Sequence, residues 1–323
     1  MQHCGMGAST KAAAGRFGGK LPQLNTLVIW QPGRGNLTLG ESETMVGEMT
    51  YERLGDSALD YFPCRYGTSK LLFRGPRRKL DGAYCAVLGG TETYGKFIQA
   101  PYPALVEAAT GINMVNFGCV NAGVDVYVND PAVVEACVNA RVTVVQVTGA
   151  LNTSNRFYSV HPRRNDRFLR ASTLLKAIYR EVDFTEFHFT RHMLSTLLTL
   201  SPERFAVVAD ELQTAWVARM KVLLGKVEGR TVVLWMANHS PDRARAIGGL
   251  GSDPILINRA MIEAIRPHAT EVVEVVASDL ARGAGLDGKV YSAMELPAAQ
   301  ETPGPLTHEE VAAALVPVIG RMV

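Results

Sequence analysis

Residues 84–97, YCAVLGGTETYGKF, run apolar as far as Leu88, break into glycines, hydroxyls and a carboxylate, and then resume as an amphipathic segment. A strand that hands a polar loop to a helix reads this way. In parallel α/β sheets, ligands bind outside the carboxyl ends of the strands, where helix N-termini turn unpaired N–H groups outward. The stretch therefore places Thr91, Glu92 and Thr93 at the mouth of a site.

Outward from this loop, the chain from Met49 onward alternates strand and helix patterns. Strands are expected at 84–88, 112–117, 142–147, 231–236 and 272–277. The third, VTVVQV, is apolar and β-branched on both faces, as a central parallel strand is. Helices are expected at 102–110, 131–139, about 166–226 with a break at Ser201-Pro202, 254–266 and 308–321, the last introduced by Thr307. Strands separated by helices predict a flavodoxin-like α/β/α sandwich around a mainly parallel five-stranded sheet. Residues from about 151 to 228 are too long for a simple crossover and are expected to form a helical cap insertion over the site. Residues 1–44 differ in composition from the rest and are expected to be a disordered leader, with translation beginning at Met45 or Met49. Residues 45–323 then form a single domain.

A chain of 323 residues, 47% apolar and 20% charged, can bury a sizeable core. Its formal charge of +2 is too small to make nucleic acid or a membrane surface the main partner. Cys4, Cys64, Cys85, Cys119 and Cys137 form an odd set without C-x-x-C spacing, which argues against a disulfide scaffold and against a zinc site. No run reaches the ~18 apolar residues of a membrane span, and the N-terminus lacks the apolar region of a secretory signal. A cytoplasmic protein is expected.

Residues 89–95, GGTETYG, resemble the first block of the SGNH/GDSL hydrolase superfamily, G-D-S-x-T-x-G, with Gly90 in the Asp place and Thr91 in the nucleophile place. Further blocks follow in order. Residues 116–123, NFGCVNAG, are similar to the second block, which makes Gly118 the carried-over backbone donor to an oxyanion. Residues 149–152, GALN, are similar to the third block, G-x-N, with one additional residue; Asn152 is the side-chain donor, or Asn155 if the register shifts. His308 precedes the last helix, as the catalytic histidine of the superfamily does.

The resemblance covers 84–321 and implies an ester or acyl hydrolase, or an O-acyltransferase, built on Thr91, His308, Gly118 and Asn152. It departs from the superfamily in two places. Pro305 stands where the aspartate of D-x-x-H belongs, leaving Glu92 and Glu295 as orienters of the imidazole. Thr91 replaces serine but keeps a hydroxyl that a base can activate. The chain is also similar to an uncharacterised domain family, for which resemblance supplies no activity.

A different reading takes Gly90 to Lys96 as G-x-x-x-x-G-K, the phosphate-cradling loop of nucleotide-binding proteins. Phe97 then occupies the magnesium-binding Ser/Thr position. Residues 152–170 pack Arg156, His161, Arg163, Arg164, Arg167 and Arg170 among Phe157, Tyr158 and Phe168. Guanidinium forks match phosphate, sulfate and carboxylate geometry. This segment is expected to hold an anionic small-molecule or glycan substrate, or the phosphates of coenzyme A as an acyl donor; no cofactor is otherwise required. Arg74, Arg77, Arg78 and Lys79 form a second basic cluster.

Glu92, Thr93, Arg156, Arg163, Arg164 and His239 are the expected substrate-binding residues, with His239 also the second candidate for general base. His188 and His192 share a helix face without an H-E-x-x-H pattern, so a structural role is expected there and no metal. A catalytically silent anion-binding protein of the same fold is the alternative to the enzyme.

Overall fold

The computed structural model describes residues 59–243 and 249–323. The expected leader, residues 1–44, lies outside them. Seven strands follow in chain order: β1 (Tyr84–Leu88), β2 (Asn113–Asn116), β3 (Val142–Gln146), β4 (Tyr158–His161), β5 (Arg164–Ala171), β6 (Thr231–Ala237) and β7 (Glu271–Val276). Five of them form one parallel sheet in the order β2-β1-β3-β6-β7. Every residue of β1, β3 and β6 is buried, which is why their sequences are continuous apolar or β-branched runs instead of alternations.

The helices are α1 (Thr91–Tyr94), α2 (Tyr102–Thr110), α3 (Val124–Val128), α4 (Pro131–Val138), α5 (Thr173–Ile178), α6 (Thr190–Leu200), α7 (Pro202–Val227), α8 (Arg259–Ile265), α9 (Asp279–Gly283), α10 (Leu296–Glu301) and α11 (Pro305–Met322). Side chains along a strand point alternately to opposite faces. Cys85 and Val87 of β1 therefore join Val144 and Leu234 beneath α2 and α11, through Tyr102, Val106, Val311, Leu315 and Ile319. Ala86 and Leu88 face the other way, with Val145, Val233 and Trp235, toward Trp216, Met220 and Leu223 of α7 and Ile262 of α8. Burying one such aliphatic side chain contributes roughly 1.5–3 kcal/mol, so the two faces share the stabilisation of the sheet. The expected α/β/α sandwich is the observed one.

Ser201 caps α7 by accepting the Arg204 N–H at 3.2 Å, and Pro202 fills the first turn, as its sequence implies. The helix expected from residue 166 is instead a hairpin: β4 and β5 pair antiparallel, and helix resumes only at Thr173, capped by Ser172. The reason lies in a register shift at Ser159–His161, which leaves Asn165 and Phe168 both buried three residues apart. That spacing imitates a helical face. Asn165 fixes the hairpin by accepting the N–H groups of Gly123 and Val126 at 3.2 and 3.0 Å, at the start of α3. The insertion between β3 and β6 thus carries a hairpin as well as helices. At the other end of the chain, α11 starts at Pro305 and not at His308, so His308 lies within its first turns.

From β1 the chain crosses to β2 on one side, and β3 returns on the other. The gap between the carboxyl ends of β1 and β3 is the switch point at which open α/β sheets bind ligands.

Candidate active site

The loop after β1 closes into the single turn of α1 because a buried glutamine collects its donors. Gln146, the last residue of β3, accepts through Oε1 from the Gly90 N–H at 2.9 Å, the Thr93 N–H at 3.3 Å and the Thr93 hydroxyl at 2.6 Å. Its Nε2 donates to Glu92 Oε2 at 2.8 Å. A polar side chain inside a strand must find such partners or cost several kcal/mol of order. Gly89 is required here by close approach, since a Cβ would overlap Thr93 Oγ1 and Gln146 Oε1. Asn116 holds the other side, donating to the Thr93 carbonyl at 2.7 Å.

At the switch point lies a pocket of about 570 Å³, open to solvent, with Thr91, Glu92, Asn121, Asn152, Asp166, Arg191, His192 and Asp253 on its walls. Thr91 Oγ1 accepts the backbone N–H of Asn121 at 3.0 Å and directs its own hydroxyl toward Asn121 Oδ1 at 3.3 Å. Asn121 has a φ of 56°, a left-handed conformation that asparagine tolerates better than most residues. Asn152 Nδ2 donates to the Asn121 carbonyl at 3.0 Å, while its Oδ1 accepts from the Thr190 hydroxyl at 2.7 Å. One hydroxyl, one backbone amide and one side-chain amide therefore meet in a single hydrogen-bonded chain. A Cβ at Gly123 would overlap the Asn152 carbonyl, so the loops after β2 and β3 touch backbone to backbone.

Of the expected residues, Thr91, Glu92 and Asn152 reach this pocket, and the others do not. His308 is 1% exposed in α11, under the opposite face of the sheet, where its Nδ1 accepts the Tyr102 N–H at 3.1 Å. Burial, with the charges of Arg74 and Lys289 adding, pushes its pKa down to about 3. It is a sealed neutral ring and not the base of this pocket. The Gly118 N–H is taken by Asn116 Oδ1 at 2.8 Å, so the loop amide that faces Thr91 is that of Asn121.

Thr93 is fully buried and points inward, with its hydroxyl between Gln146 and Tyr102. Asn155 closes its own turn by accepting the Phe157 N–H at 2.8 Å. His239 packs edge-on against Trp235 and lines a separate cavity with Asp242 and Arg259. Arg156 is paired with the buried Glu211, its Nε donating at 2.6 Å. Arg163 and Arg164 border a different hollow. Glu295, expected as an orienter of the His308 imidazole, pairs instead with Lys96 at 3.5 Å.

That same contact removes the phosphate-loop reading. Lys96 turns to Glu295 and lies over the Phe97 ring, 4.6 Å from its centroid, while the Gly90 and Thr93 N–H groups that would cradle phosphate already serve Gln146.

His192, near the start of α6, is the one imidazole on the wall of the Thr91 pocket among the described residues. It is exposed, and its ring packs edge-on against Phe187 at 5.1 Å between centroids. Glu92 is partly exposed as a residue while its carboxyl is sunk against Gln146. Burial of that carboxyl raises its pKa, and the charge of Asp253 raises it further. Asp253 is exposed as a residue on the rim, with its Oδ1 close to Gly149, and desolvation of its carboxyl among the packed loops raises its pKa against the opposing pull of Arg191. Two carboxyls raised by burial, one of them also by the other's charge, make this cleft a candidate site. Gln146 and Asn121 were not among the sequence candidates, a glutamine in a β-branched strand being the one local signal, and His192, expected to be structural, stands on the pocket wall instead.

The family described as a domain of unknown function (DUF6473) matches residues 49–323. No curated protein matches the chain. Among solved structures, it is similar to a protein from Lactobacillus plantarum at 12% identity, with 74% of this chain and 97% of that chain covered and a TM-score of 0.37. It is similar to a candidate lipolytic protein of the G-D-S-L family from Desulfitobacterium hafniense DCB-2 at 13% identity, covering 75% and 100%, with a TM-score of 0.34. A catalytic mutant of an acetylxylan esterase from Geobacillus stearothermophilus is similar at 13% identity, covering 74% and 94%, with a TM-score of 0.37. No helix among the described residues is long and apolar enough to cross a membrane.

Proposed function

The chain belongs to the DUF6473 family over residues 49–323, and from its site we propose that it is an acyl-transferring enzyme, cleaving an ester or passing its acyl group to another alcohol. The observation that carries this reading is the chain of contacts from the Thr91 hydroxyl through the Asn121 amide to Asn152, at the mouth between β1 and β3. Acyl transfer needs a hydroxyl, a proton acceptor and donors aimed at the developing oxyanion.

Thr91 Oγ attacks the acyl carbon and forms the new C–O bond, while its proton passes to His192. The carbonyl oxygen becomes an oxyanion facing Asn121 and Asn152. Collapse breaks the ester C–O bond, and the departing alcohol takes the proton from His192. Water, or an acceptor alcohol, then attacks the acyl-Thr91 carbonyl and gives its proton to the imidazole; the acyl C–Oγ bond breaks, and Thr91 Oγ takes that proton back from His192. Glu92 and Asp253 border the same space.

Turnover of p-nitrophenyl acetate by the full chain, lost in both Thr91→Ala and His192→Ala, supports this function. Turnover that survives in both variants removes it. A second reading, binding without turnover, is favoured by one contact: the Thr91 hydroxyl turns to Asn121 and not to an imidazole. Absence of turnover with every ester tested, together with saturable ligand binding at the pocket, selects that reading.

A further inference from the structure

Beside the Thr91 pocket runs a second hollow of about 670 Å³ whose walls include Lys70, His161, Arg163, Arg164 and Arg167 and no acidic side chain. We infer that this trench is a binding site for a phosphate- or sulfate-bearing part of the substrate, held next to the reacting group. The inference rests on the function proposed above only in making the two hollows parts of one substrate site.

Three chain segments contribute to both hollows. Thr91 lines the pocket and Tyr94 the trench; Asn121 lines the pocket and Cys119 and Val120 the trench; Asp166 lines the pocket and Arg167 the trench. Val120 and Asn121, and Asp166 and Arg167, are consecutive, and Tyr94 lies two residues past Glu92 of the pocket wall, so the two spaces are neighbours. Arg167 marks the boundary, with its guanidinium 4.8 Å from the ring centroid of Phe189, a residue of the pocket wall.

The charge of the trench is uncompensated. Four arginines outside it are paired, Arg156 with Glu211, Arg204 with Glu181, Arg219 with Asp125 and Arg259 with Asp242, whereas Arg141 and Arg180 have no ion pair among the described residues. Among the described residues, no carboxylate lies within ion-pair distance of Lys70, Arg163, Arg164 or Arg167. Like charges gathered without counter-charge repel, and an anion seated among them relieves that repulsion.

The hairpin tip also has defined shape. His161 Nδ1 accepts the N–H groups of Arg163 and Arg164, both at 3.2 Å, so a neutral ring carries its proton on Nε2 as a further donor. Asn165, fully buried, ties the hairpin to α3. The floor is apolar, with Leu72 and Val120 54% and 41% exposed. Guanidinium forks above an apolar floor fit an anionic group carried on a ring or chain, and not a bare ion.

Titration calorimetry of the full chain tests this with two probes, the 3′-phosphoadenosine diphosphate end of coenzyme A and a sulfated heparin oligosaccharide. Binding of one probe that weakens with salt and falls at least about tenfold in Arg163→Ala/Arg164→Ala is the expected result. Lys70→Ala, on a separate segment, is expected to weaken the same probe in the same direction. Preference for the nucleotide assigns the phosphate of an acyl carrier, and preference for the oligosaccharide assigns a sulfated glycan. Binding of neither probe, or equal binding by wild type and double variant, overturns the inference. Binding is read without turnover, so ester cleavage without anion binding fails this inference alone, and anion binding without cleavage fails the catalytic reading alone.

Discussion

His308 accepts the backbone N–H of Tyr102 through Nδ1 at 3.1 Å, and the two rings stack with centroids 6.0 Å apart. Because burial holds the folded pKa near 3, below the usual 6.5, the unfolded chain takes up a proton in that interval and the folded chain does not. Stability therefore falls as pH drops from 6.5 toward 3 and is insensitive to this group above 6.5. The slope expected from one such group is about 1.4 kcal/mol per pH unit. Urea unfolding across the interval checks it: His308→Gln flattens the acid side of the profile, and an unchanged slope excludes His308 as its source.

Glu92 has the opposite sign. Its raised pKa means that ionisation at neutral pH costs folding free energy, and the cost disappears as pH falls through the raised value toward the ordinary carboxyl range. Glu92→Gln keeps an oxygen for Gln146 Nε2 and removes the charge. The variant is expected to melt higher than wild type at neutral pH, with the difference shrinking on acidification. A lower melting temperature at neutral pH contradicts a carboxyl destabilised by burial.

Gln146 serves four groups of the α1 turn at once. Gln146→Leu fits the apolar strand but strands those groups, and each buried polar group left unpaired costs about 1–3 kcal/mol. A loss of several kcal/mol in denaturant unfolding is expected, with any activity lost as well because Thr91 rides on that turn. A loss well under 1 kcal/mol places the turn's support elsewhere.

Asn152 is the side-chain donor of the proposed oxyanion site. Removing one such donor typically lowers kcat by about 10²–10³ with little effect on KM. Asn152→Ala is expected to follow this pattern on p-nitrophenyl acetate, with Asn152→Asp equally poor because it places a carboxylate beside the oxyanion. An effect confined to KM assigns Asn152 to ground-state binding.

The sheet was readable because β1, β3 and β6 are buried on both faces and leave unbroken β-branched runs. Thr91 and Glu92 could be placed at the mouth because a strand's carboxyl end followed by small polar residues has one common use, whereas Asn152 was reached through the resemblance of residues 149–152 to a superfamily block. What escaped depends on contacts between distant segments. Asn165 and Phe168 carry helical spacing inside a strand, since the register shift that causes it belongs to the pairing with β4. His308 looked catalytic because a histidine near a terminal helix reads the same whichever face that helix presents, and Pro305 starts α11 early enough to turn it toward Tyr102. His192 reaches the pocket only through the fold of the insertion, which no local pattern specifies.

The excursion between β3 and β6 supplies Arg191, His192 and the arginine-bearing hairpin, whereas the attacking hydroxyl and its Asn121 contact come from the segments following β1 and β2. The excursion thus carries the basic hairpin together with Asn152 and His192 of the proposed chemistry. Arg163 and Arg164 at the hairpin tip can be diversified to redirect which molecule is gripped, while His192, Asn152, the central strands and the Thr91 turn stay as they are.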